Sequence, residues 1–168
     1  MAYSRVARLA LVPALALSFG APIACNGSPT TPSLAHGSMS ATVDGVAWTA
    51  TTALTATYAG NVLSISGSDA TTTITLSIQN GDGSPLALGT IPINTSSPSN
   101  ATLTIKPATG TASSTTLMAG AIAGSGGGPV AISALTSTSA VGRFSLVFAT
   151  TGINGDKVVT GGTFSVKF

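Results

Sequence analysis

Charge is nearly missing from this sequence. Of 168 residues, 6 are Lys or Arg and 4 are Asp, and there is no Glu. An ordinary globular domain carries roughly 25% charged residues. There is one Cys, one His, one Gln and one Trp, and aromatic residues make up only 5%. Zinc sites built on Cys and His clusters are excluded with one of each. A disulfide framework is excluded for the same reason, and so few cations cannot build a basic nucleic-acid face. What fills the chain is small: 26 Thr, 26 Ala, 22 Ser and 20 Gly.

The charges that exist are unevenly placed. Arg5 and Arg8 lie in MAYSRVAR, and the uncharged stretch Leu9 to Ala24 (LALVPALALSFGAPIA) follows. A short positive segment, an apolar run and small residues before a break predict a secretory signal peptide over residues 1–24. The run is shorter than the about 20 residues that a membrane span needs, and Pro13 and Pro22 interrupt it. From Cys25 on, Lys106, Arg143, Lys157 and Lys167 balance Asp44, Asp69, Asp82 and Asp156. The net charge of +2 therefore belongs to the leader, and steering of an anionic partner by net charge has no support.

The segment Pro22-Ile23-Ala24-Cys25-Asn26 resembles the lipobox of bacterial lipoprotein precursors, with Pro22 standing where that motif usually has an aliphatic residue. The resemblance implies lipidation of the Cys25 thiol, cleavage before it, and anchoring to a membrane through the N-terminal acyl groups. Acylation needs a thiolate nucleophile, and this is the only Cys in the chain. Asn26 after the Cys implies, by the same resemblance, export to the outer membrane. Ordinary signal-peptidase cleavage is the alternative, although Pro22 spoils its small-x-small sites.

Residues 25–38 then read as the lipidated Cys and a flexible tether, rich in Pro, Ser, Thr and Gly (NGSPTTPSLAHGS). Residues 39–168 read as one β domain. Alternation with period two runs through Met39 to Val43, Val46 to Tyr58, Val62 to Ser66 and Thr71 to Ile78. Further candidates are Leu86 to Ile93, Ala101 to Lys106, Thr116 to Ala123, Val130 to Ser137, Arg143 to Ala149 and Val158 to Phe168. Asp44-Gly45 offers a tight hairpin. Ala108 to Thr115 and Gly124 to Pro129 read as loops. About nine or ten short strands predict an all-β fold, an antiparallel β-sandwich or partly closed β-barrel. Positive mean hydropathy with little charge argues against disorder.

No catalytic constellation emerges, so no enzyme is expected. His36 lies in the tether, where nothing fixes its tautomer. Neither a Gly-x-Ser-x-Gly elbow nor a Ser-x-x-Lys spacing occurs. Each of the four Asp residues sits in turn chemistry, where Asp bonds its own backbone. A polysaccharide hydrolase would instead need two of them facing across a cleft. Asn80-Gly81-Asp82-Gly83-Ser84 supplies alternate oxygens but lacks the further acidic ligands of a calcium loop. No metal or cofactor is expected. Trp48 and Tyr58 could stack a sugar in a carbohydrate-binding module, but core filling is the better use of scarce aromatic bulk. Asn26, Asn94 and Asn100 match Asn-x-Ser/Thr, a pattern that matters only in a eukaryotic secretory route.

Ala41-Thr42-Val43-Asp44-Gly45-Val46-Ala47-Trp48, with Gly142-Arg143-Phe144 and Gly162-Thr163-Phe164, is similar to the opening hairpin and Gly-x-Phe closing strands of a family of uncharacterised bacterial lipoproteins. That resemblance implies a lipid-anchored envelope protein with a structural or binding β domain. A protein or glycan partner stays unnamed, and the resemblance implies no activity.

Overall fold

The computed structural model describes residues 37–107, 113–120, 126–149 and 155–168. Cys25, His36 and the rest of residues 25–36 lie outside them, while Gly37 and Ser38, expected to end the tether, already pair with Val166 and Ser165 as strand. The described chain forms eleven strands: β1 (Gly37–Val43), β2 (Val46–Thr49), β3 (Ala53–Ala59), β4 (Val62–Ser68), β5 (Thr72–Ile78), β6 (Gly89–Ile93), β7 (Asn100–Ile105), β8 (Thr115–Ala119), β9 (Gly126–Leu135), β10 (Ser139–Phe148) and β11 (Lys157–Lys167). They make two antiparallel sheets, one ordered β2-β1-β11-β10-β9-β6 and the other β3-β4-β5-β7-β8. The sheets pack as a sandwich. The barrel alternative is not realised: among the described residues each sheet ends in two edge strands, and one isolated bridge, Met118 to Ala149, links the sheets.

Local chemistry makes the turns. Asp44-Gly45 has φ of 48° and 83°, and Gly60-Asn61 has 58° and 65°. Both are two-residue hairpins with positive φ at each position, the turn whose twist matches the flanking strands. The alternating run from Val46 to Tyr58 is two strands rather than one. Ala50 N–H still bonds Met39 in the six-stranded sheet at 2.9 Å, while Thr51 and Thr52 N–H already bond Ser68 in the other sheet. The chain changes sheets within Ala50–Thr52 and leaves few orphaned backbone groups, so no Gly or Pro marks the crossing.

Strand β6 is an excursion to the opposite sheet between β5 and β7. Its two ends are clasped by Ser99, a fully buried polar residue. The Ser99 hydroxyl accepts from Gln79 N–H at 3.0 Å and donates to Gln79 C=O at 2.9 Å, and the Gln79 side-chain amide donates to Pro98 C=O. The expected strand from Leu86 is shorter than its hydropathy suggested. It begins at Gly89, and Leu88 remains 63% exposed.

The core alternates along each strand: Leu63 and Ile65, Ile74, Leu76 and Ile78, then Phe144, Leu146 and Phe148. Each such side chain contributes about 1.5–3 kcal/mol by burial. In β11 the inward positions change parity, from Val159 to Gly162, Phe164 and Val166. A bulge causes this: Phe144 pairs with Gly162 but Leu146 pairs with Val159. Gly161, at φ 58°, supplies the left-handed residue that such a bulge uses.

Gly124 to Pro129 was expected to be a loop. From Gly126 onward it is strand, squeezed between β6 and β10. A Cβ would stand 2.2 Å from Val147 C=O at Gly126, 2.3 Å from Ile93 C=O at Gly127 and 2.1 Å from Ser145 C=O at Gly128. The glycines are there because neighbouring backbones leave no room for side chains.

Candidate binding surface

The two Gly-x-Phe segments sit side by side. Gly142 pairs with Phe164 and Gly162 with Phe144, so each ring lies over the glycine of the other strand. A Cβ at Gly162 would meet the Phe144 ring at 2.6 Å. The rings fill the inner face. On the outer face the bulge and its two glycines leave a hollow of ≈360 Å³, bordered by Arg143, Ser145, Thr163, Pro129 and Ala131. Arg143 lies mid-strand between Thr163 on β11 and Ala131 on β9. Among the described residues no carboxylate pairs with its guanidinium; the single ion pair there is Lys157 with Asp44. The outer face is otherwise hydroxyl-rich, and Thr163 shares a 3.0 Å hydrogen bond with Ser40. An exposed Arg143 at the rim of this hollow, with no carboxylate partner among the described residues, can receive a carboxylate or other planar anion. Sequence reading missed Arg143. The available signal was Gly161-Gly162 inside an alternating run, which marks a bulge.

Most of the sequence-derived candidates are structural. Trp48 is 5% exposed and its ring reaches across to Gly67 on the other sheet. Tyr58 is half-buried: its hydroxyl accepts from Leu86 N–H at 3.2 Å and its ring tilts against Phe168 at 5.9 Å. The two aromatics belong to different sheets. A buried Trp48 offers no stacking platform, which removes the basis for a sugar site built on this pair. Trp48 Nε1 is buried and has no hydrogen-bond partner among the described residues, a price the site tolerates for the ring's bulk.

Asp69 and Asp82 do bond their own turns. Asp69 accepts from Thr71 N–H at 2.8 Å and Thr72 N–H at 2.6 Å, and Asp82 from Ser84 N–H at 2.9 Å. The Ser84 contacts hold the Asp82 carboxyl below the usual carboxylate range. Asp44 differs from expectation, because its carboxylate reaches across to β11. One oxygen accepts from Lys157 Nζ at 2.7 Å and the other from Val158 N–H at 2.8 Å. The Lys157 hydrogen bond first, then the Val158 amide, lowers its pKa. Asp156 lies immediately before β11. In the Asn80–Ser84 loop, Asn80 Nδ2 donates to Ser84 Oγ and Pro85 C=O, and Asn61 Nδ2 donates to Gly83 C=O. Amide protons thus occupy oxygens that a calcium ion would need. Among the described residues no three His, Cys, Asp or Glu side chains cluster as metal ligands.

A family model for a domain of unknown function (DUF6252) matches residues 35–166. No curated protein and no solved structure matches the chain.

Proposed function

This chain belongs to the DUF6252 family of domains of unknown function, and from that premise we propose a lipid-anchored bacterial envelope protein whose β-sandwich is a structural or binding module rather than an enzyme. One observation carries the anchor: the only Cys, Cys25, follows a positive segment and an apolar run. Burying acyl chains at about 0.8 kcal/mol per CH₂ makes attachment by more than one chain effectively stable. The anchored protein stands at the outer membrane, and its partner binds at the hollow beside Arg143, where an anionic or carboxylate-bearing surface group fits. Asp69 and Asp82 are engaged with their own turns and Asp44 with Lys157, which supports a non-catalytic reading.

The test is metabolic labelling with radioactive palmitate in a bacterial host. The label appears in the wild-type chain and vanishes in Cys25→Ala, and globomycin causes the precursor to accumulate. An unlabelled, fully soluble mature protein overturns the anchor.

A further inference from the structure

Four strands edge the two sheets, and three of them are blunted. Strand β2 has four residues, β6 carries Pro92, and β8 is tied to Ala149 by the Met118 bridge. Short length, proline and cover are the usual defences of an exposed edge. Among the described residues strand β3, ALTATYA, has none of these: seven residues, with no charge, no proline, no bulge against β4 and no strand paired on its outer side.

We propose that β3 is a self-association edge at which a second copy of this chain adds its own β3, antiparallel about Ala56. The turn fixes which backbone groups are free. Ala59 and Val62 flank the two-residue Gly60-Asn61 turn, so they form a hydrogen-bonded pair, and Thr57, Thr55 and Ala53 follow with the same parity toward β4. The N–H and C=O of Leu54, Ala56 and Tyr58 therefore point outward. A dyad at Ala56 sets Ala56 opposite Ala56 and Leu54 opposite Tyr58, each as a hydrogen-bonded pair, for about six inter-strand bonds. Thr55 then faces Thr57 on the outer surface, a favourable cross-strand pair. No like charges meet anywhere along the seven positions. The outer hydroxyl rows, such as Thr55, Ser66, Thr75 and Thr102, continue into the second copy.

The test is sedimentation velocity over a concentration series. It uses the full chain carrying Cys25→Ala, which removes acyl groups as a cause of association. The expected result is a reversible monomer–dimer equilibrium. T55K/T57K sets lysine opposite lysine across the dyad and weakens the dimer at least about tenfold. T55K/T57E sets lysine opposite glutamate and restores it. Retained Trp48 emission in both variants confirms that they fold, because these positions face solvent. A monomer at every concentration overturns the proposal. A dimer indifferent to T55K/T57K overturns it as well, and so does one that T55K/T57E fails to restore.

Discussion

Asp44 combines three duties in one residue. It adopts the positive φ of the hairpin, receives the Lys157 ammonium, and caps the Val158 amide. Its carboxyl ionises below the ordinary value of 3.8 in the folded chain. The stabilisation is therefore complete above that ordinary value and is lost as pH falls through the lower folded one. Asn tolerates the same backbone but carries no charge. Asp44→Asn should cost about 0.5–1 kcal/mol near neutral pH, in keeping with a largely solvated pair. Urea denaturation at neutral pH and again well below pH 3.8 checks this. A gap of the same size at both pH values assigns the loss to something other than the ion pair. Asp44-Gly45 was legible as a hairpin because turn chemistry is local, whereas Lys157 is 113 residues away and nothing local announces it.

At the scale of elements, the paired Gly-x-Phe strands make a sharper demand. Gly162→Ala drives a methyl into the Phe144 ring, which supplies its three nearest atoms at 2.6 Å, whereas Gly142→Ala meets both the Phe164 ring and Ala131 C=O at 2.4 Å. Each single change should cost about 1–3 kcal/mol through overpacking. Phe144→Leu should offset much of the Gly162→Ala loss, while Phe164→Leu should leave Gly142→Ala largely uncorrected, because a carbonyl cannot be moved aside. A double-mutant cycle on each pair measures the contrast, and equal coupling in both pairs contradicts it. The strands themselves were readable from alternating Phe, Leu and Val. Their glycines were visible as Gly-x-Phe, but the reason for them was not, since it lies in the ring and backbone of the facing strand. The same blindness made Gly126–Pro129 look like a loop and hid the hollow beside Arg143.

For the molecule as a whole, period two established an all-β domain but not which strand pairs with which. Sheet membership depends on crossings such as Ala50–Thr52, whose residues are unremarkable in sequence. Trp48 is a ready reporter of the stacked state, because its ring is buried only when β2 of one sheet covers β4 of the other. Much of the pairing is non-local, so refolding followed by Trp48 emission should take roughly milliseconds to seconds. A microsecond phase that buries Trp48 fully would contradict that expectation.

The pairing of β1 with β11 has a consequence in time rather than space. The Ser40 and Thr163 hydroxyls meet across 123 positions of sequence. As a ribosome delivers the chain, the β1–β2 hairpin therefore waits, half-partnered, until the final strand emerges. The six-stranded sheet has no early stopping point at which it could lock shut. Under the export proposed above, the chain must stay unfolded until it is through a translocation channel, and this strand order defers closure of the sheet until the last strand has passed.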